Sequence, residues 1–216
     1  MVKYRLEFSK TGETKFVSHL DLVRLFSRVF KRAELPLAYS EGFNPHPKMS
    51  IGIPLSVGVT SEAELLDVEF YNEVEAEDIK VRLNEKMPMG ILISKVKKLE
   101  QGDAKLSTVS KAQYNVKLFG AEITEEKVSD FMKKAAIEIE KKTKRSEKVV
   151  DIKPDIFALS YISEDELFME LATGSNANLK PDVVLEAMQK YIDGFGVEDY
   201  ALHRIKMTDA TDRELI

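Results

Sequence analysis

The chain has 216 residues, 44% hydrophobic and 32% charged, enough for one large core or two smaller ones and too apolar for an intrinsically disordered protein. It has no cysteine, which excludes disulfides, cysteine-ligated zinc and a cysteine-held iron–sulfur cluster in this chain. Its formal charge of −5 argues against a general nucleic-acid coating protein, yet residues 1–50 carry nine Lys or Arg against five Asp or Glu, a locally basic stretch.

Residues 2–8 alternate, with Val2, Tyr4, Leu6 and Phe8 on one face and Lys3, Arg5 and Glu7 on the other, which predicts a half-buried strand. The same alternation and charge are unlike a signal peptide, and no apolar run approaches the roughly 18 residues that span a bilayer. A cytoplasmic protein with no membrane contact is expected. After a loop over 9–17, Ser18 is placed to cap a helix, with Asp21 at its third position. Leu22, Leu25, Phe26, Val29 and Ala33 give that helix an apolar face, and Arg24, Arg28 and Arg32 recur every fourth residue as a second stripe. Pro36 stops it. Residues 36–47 read as a loop, and Met49, Ile51, Ile53 and Leu55 as a strand made irregular by Gly52 and Pro54. A turn over 58–63, a strand over 65–71, a helix over 75–87 and a strand over 91–99 follow.

Residues 101–111 are small and polar and suit a linker. The pattern then repeats: a strand over 114–119, a helix from 124 to about 142, a strand over 148–152 or 156–162, another over 166–172, a helix over 179–191 with Pro181 in its first turn, and a strand over 200–208. The last eight residues are polar and predicted to fray. Strand–helix–strand–strand–helix–strand therefore occurs twice, without clear residue identity between the halves. The expected fold class is α+β: tandem duplicated ferredoxin-like (βαββαβ) modules over residues 1–100 and 112–216.

The residues that point to chemistry cluster in 15–58. His46 lies between Pro45 and Pro47, so its backbone is stiff and extended and its imidazole is held for acid–base work or for a phosphate; a rigid turn with a surface histidine is the plainer reading. Ser18, His19 and Lys15 surround a helix start whose free N–H groups favour anions. Arg24, Arg28 and Arg32 suit a phosphate backbone, though a solvated helix face is the commonest fate of such a stripe. Tyr39, Phe43, Asn44 and Lys48 crowd around His46, with Phe43 the better candidate for stacking on a base. The basic run at 141–145 fits a helix end answering its dipole, or a second nucleic-acid contact. No phosphate loop, dinucleotide fingerprint, zinc-protease motif or nucleophile elbow is present, and no catalytic residue is assigned beyond His46 as a candidate.

The runs Phe-Val-Ser-His-Leu-Asp-Leu (16–22), Tyr-Ser-Glu-Gly-Phe-Asn-Pro-His-Pro-Lys (39–48), Pro-Leu-Ser-Val-Gly (54–58) and Val-Asp-Ile-Lys-Pro (150–154), with the spaced arginines, resemble the radical SAM-linked protein family. Members of that family accompany radical SAM proteins or are fused to them. The resemblance implies a radical SAM partner, which would carry the iron–sulfur cluster and S-adenosylmethionine; no cofactor and no metal are expected in this chain. The expected function is an accessory RNA-binding protein that presents tRNA or rRNA for modification. Two alternatives stay open: a hydrolase or transferase using His46 as acid or base, and a protein–protein adaptor that needs no RNA.

Overall fold

A computed structural model describes residues 1–143 and 146–216; the side chains of 141–147 lie outside the description, and with them every side chain of the basic run at 141–145. The chain is mixed α+β, its strands paired antiparallel, and it divides into two compact units, Met1–Val109 with Thr211–Ile216, and Ser110–Ala210.

In the first unit β1 (Val2–Lys10), α1 (His19–Arg32), β2 (Met49–Ile51), β3 (Thr60–Phe70), α2 (Ala76–Asn84) and β4 (Ile91–Lys98) follow in order. β1 pairs with β3 and β4, and β2 pairs with β3, all antiparallel, giving the order β4-β1-β3-β2. Tyr4, Leu6 and Phe8 of β1 alternate into one core with Phe26 and Phe30 of α1, Leu66, Val68 and Phe70 of β3, and Ile79 and Leu83 of α2. Phe26 meets Phe8 at 4.8 Å between ring centroids and Phe30 meets Phe70 at 5.9 Å, both edge-on, the geometry that aromatic quadrupoles prefer. β2 is shorter than its apolar alternation predicts. Gly52 N–H still reaches Leu65 O at 2.8 Å, but Pro54 has no N–H to extend the ladder.

The polar face of β1 is not uniformly solvated as alternation predicts: Lys3 is exposed and Glu7 half-buried. Arg5 is fully buried: its Nε and Nη2 bind the Asp67 carboxylate at 2.6 and 2.8 Å, and its Nη1 donates to Ala104 O at 2.7 Å and Leu215 O at 3.1 Å. Both ends of that cage correct the sequence reading. Residues 101–109 fold onto the first unit rather than forming a free linker, and the C-terminal tail is docked, with Leu215 buried. Lys10 is buried too, its Nζ donating to Lys15 O and Val17 O, which fixes the turn that leads into α1.

In the second unit β5 (Lys111–Phe119), α3 (Glu125–Met132), β6 (Glu138–Thr143), β7 (Ser146–Asp151), β8 (Ile156–Ser163), β9 (Glu166–Ala172), α4 (Pro181–Tyr191) and β10 (Asp199–Thr208) follow. The order is β10-β5-β9-β8, antiparallel throughout, with β6 and β7 paired as a separate hairpin. The helix predicted to run to about 142 stops at Met132. Beyond it Ile137 and Ile139 alternate with Glu138 and Glu140, a period of two, and Ile137 is anchored by its N–H on Asp151 Oδ1 and its C=O on the Ile152 N–H. Both alternatives for the following strand are present, one in the hairpin as β7 and one in the larger sheet as β8.

Candidate nucleic-acid interface

α1 begins where Ser18 takes an extended backbone and its Oγ accepts the Asp21 N–H at 3.2 Å, satisfying one orphan donor of the first turn. The same hydroxyl donates to Asp21 Oδ2 at 2.7 Å, and Arg24 Nη1 donates to Asp21 Oδ1 at 3.0 Å. The Ser18 hydrogen bond, then Arg24, hold the Asp21 carboxyl below the usual carboxylate range, with Arg28 adding to it. A depressed carboxyl stabilises the fold above its unfolded pKa and loses that contribution as pH falls through the lowered one. Ser18→Ala is expected to cost about 1 kcal/mol through the lost cap and, separately, to weaken the pH dependence that comes from Asp21 ionisation, both read from urea titrations at pH 7 and pH 3.

The other end of α1 is held by α2. Arg82 donates through Nε and Nη2 to Ala33 O and through Nη2 to Glu34 O at 2.7 Å, while Nη1 pairs with Asp78 at 3.2 Å. A guanidinium on the last carbonyls answers the helix dipole and fixes the direction in which α1 points.

Residues 38–48 form a loop closed at its neck. Lys48 N–H donates to Ala38 O and Ser40 N–H to His46 O, each at 2.8 Å, and His46 N–H donates to Ser40 Oγ at 3.0 Å. Tyr39 and Pro47 pair as an antiparallel bridge. The neck is also hung on β3, because Ala38 N–H reaches Glu69 O and Glu69 N–H reaches Lys48 O, each at 2.9 Å. The tip, residues 41–45, is exposed, and the Phe43 ring is 111% exposed relative to its reference, so it touches almost nothing.

α1 and this loop share one cleft of about 410 Å³, lined by Val23, Arg24, Ser27 and Arg28 from the helix, His46 and Pro47 from the loop, and Met49 of β2. Of the residues singled out in the sequence, Arg24, Arg28 and His46 come together there. The others do not line it. Arg32 is exposed at the far end of α1. Ser18 and His19 occupy the first turn, and the Lys15 ammonium sits 5.0 Å from the Phe16 ring centroid. Lys48 Nζ turns to Met1 Sδ at 3.5 Å and Glu69 Oε2 at 3.8 Å. Tyr39 packs half-buried against the core, and Asn44 lies exposed beside Phe43. Val23, Ser27 and Met49 line the cleft as well and are not among the residues singled out in the sequence. The first two precede Arg24 and Arg28 by one residue and repeat at the same spacing of four, a signal the sequence does contain.

Among the described residues no cluster of three His, Asp or Glu side chains is placed to hold a metal, and no helix is long and apolar enough to cross a membrane.

An antiparallel α+β chain with an arginine-lined cleft is thus the class that the fold and site define. Residues 3–181 match the family described as "Uncharacterized protein conserved in bacteria (DUF2344)", and the chain belongs to that family. No curated protein matches the sequence. Among solved structures, similarity is found to a "Cbf5-Nop10-Gar1 Complex" (14% identity, 94% of this chain, 48% of that one, TM-score 0.49). An "archaeal box H/ACA sRNP Nop10-Cbf5 complex" is similar at 13% identity, 93% and 46% coverage and a TM-score of 0.45. An "H/ACA RNP bound to a substrate RNA containing 2'-deoxyuridine" is similar at 13% identity, 99% and 49% coverage and a TM-score of 0.47. The chain spans about half the length of these solved chains. All three scores lie below one half, so the likeness defines neither fold nor function here.

Proposed function

We propose that the chain binds single-stranded RNA through its first unit, with α1 and the loop of residues 38–48 as the two walls of the binding surface. The observation that carries this reading is the meeting of Arg24, Arg28 and His46 in one cleft, beside a loop whose tip is a bare phenyl ring. Guanidinium groups match phosphate oxygens in pairs, and an exposed ring stacks on any base, so together they favour a flexible single strand over a duplex. The full surface takes in Arg32 and Asn44, and the first turn of α1 with Lys15, Ser18 and His19.

In this reading the RNA is tRNA or rRNA, and the chain presents it to a radical SAM enzyme. That partner rests on the family resemblance of residues 16–58 and 150–154; the cluster and S-adenosylmethionine belong to the enzyme. The architecture is read as two ferredoxin-like modules, supported by the element order of the first unit and by the strand order of the second, which matches once the β6–β7 hairpin is set aside as an insertion. Among the described residues no carboxylate lines the cleft beside His46, so an acid–base role for this histidine lacks an orienting group.

The test is binding of a single-stranded RNA by fluorescence anisotropy across a salt series. Replacing Arg24, Arg28 and Arg32 together by Ala is expected to weaken binding and to flatten the salt slope by about 2, three phosphate contacts at roughly 0.7 each. Phe43→Ala is expected to cost about 1–3 kcal/mol without changing that slope. An unchanged affinity in the triple variant at every salt concentration removes the reading. Co-purification with the radical SAM enzyme that survives nuclease, from a chain that binds no RNA alone, favours the adaptor instead.

A further inference from the structure

The cleft between α1 and the loop has two kinds of wall. Val23, Pro47 and Met49 are apolar; Arg24, Arg28, Ser27 and His46 offer donors. Its volume of about 410 Å³ falls within the range of small-ligand sites, though near the lower end. Arg24 is tied to Asp21, while Arg28 commits only its Nε, to Arg24 O at 3.3 Å, and keeps Nη1 and Nη2 without a hydrogen bond or ion pair among the described residues. The Pro47 wall is fixed by the Tyr39–Pro47 bridge and does not have to be ordered by a ligand.

A ligand that uses both walls needs a flat apolar part and an anion one short linker apart. A free phosphate leaves Val23, Pro47 and Met49 wetted, and an apolar molecule leaves Arg28 unmatched. We infer that the cleft is a subsite for a single nucleotide, its base against Val23, Pro47 and Met49 and its phosphate on Arg28 and His46; this rests on the RNA-binding reading and assigns one position of the bound strand. Phe43 then stacks on a neighbouring base outside the cleft.

The full chain, labelled with carbon-13 at its methionine and valine methyl groups, is titrated in turn with nucleoside 5′-monophosphates, the unphosphorylated nucleosides and inorganic phosphate. Monophosphates are expected to move the Met49 and Val23 methyl resonances saturably. Arg28→Ala is expected to raise the dissociation constant by roughly tenfold or more. Ser27→Glu, which brings in a better helix former but sets a carboxylate beside the phosphate, is expected to do the same without lowering the melting temperature. Inorganic phosphate that moves both methyls as far as the monophosphates do overturns the assignment of the base. Monophosphates that leave both methyls unmoved, while a single-stranded RNA still binds, overturn the subsite and leave RNA binding standing. Monophosphates that bind a chain with no affinity for RNA support the subsite and remove the wider reading.

Discussion

Replacing Asp67 by Ala is expected to lower the unfolding free energy by about 3 kcal/mol, near the bottom of the range for breaking a buried ion pair. Arg5 is fully buried and cannot shed its proton, so once the carboxylate is gone its charge is left to the carbonyls of Ala104 and Leu215 and to the more distant Asp103 carboxylate. The lower end of the range applies because the Asp67 side chain keeps 28% exposure, which lets water replace part of what is lost. Arg5 and Asp67 face each other directly across β1 and β3, so the pair also sits at the middle of the sheet register. Urea titration measures the effect. The double variant Arg5→Met with Asp67→Leu is expected to lose less than Asp67→Ala alone: the carbonyls of Ala104 and Leu215 lose a donor, a smaller cost than a buried charge left without its partner. A loss below 1 kcal/mol for Asp67→Ala would mean that the burial of Arg5 is relieved by a rearrangement of the tail.

Gly90→Ala is expected to destabilise by roughly 3 kcal/mol, from backbone strain and overpacking together. Gly90 has φ +95°, where an L side chain is strained, and a Cβ there would lie 2.5 Å from the backbone carbonyl of Thr11 and 3.0 Å from Thr14 Cγ2. The crowding has a cause: Gly90 O accepts the Thr11 N–H at 2.8 Å and the Thr14 hydroxyl at 3.1 Å, which pins the turn after β1 to the start of β4. Gly58→Ala is the matched control. Gly58 has φ +90° with nothing within 4 Å of an added Cβ, so it isolates the strain, about 1 kcal/mol. Thermal melts of the two variants should therefore separate clearly; equal losses would defeat the steric account.

Much of the first unit can be read from local pattern. The alternation of Tyr4, Leu6 and Phe8, the cap at Ser18 and the stop before Pro36 are signals that neighbouring residues carry by themselves. The interior position of Arg5 is not, because its partners lie 62, 99 and 210 residues away along the chain. The end of α3 differs from its local pattern for another reason. Ala135 and Ile139 sit four apart and continue the helical stripe of Val128 and Phe131, while the competing period of two begins only at Ile137. The cleft is legible in half. The arginines and the prolines announce themselves, but Met49 enters only because the loop neck is bonded to β3 and brings β2 alongside α1.

The doubled attachment of the loop to Glu69 has a further consequence. Between Ala38 and Lys48 lie nine residues, yet the bonds at the neck leave only five, 41–45, outside a closed ladder. Whatever meets Phe43 thus forfeits the disorder of a short arc with clamped ends, a smaller entropic penalty than a free segment of the full length would exact.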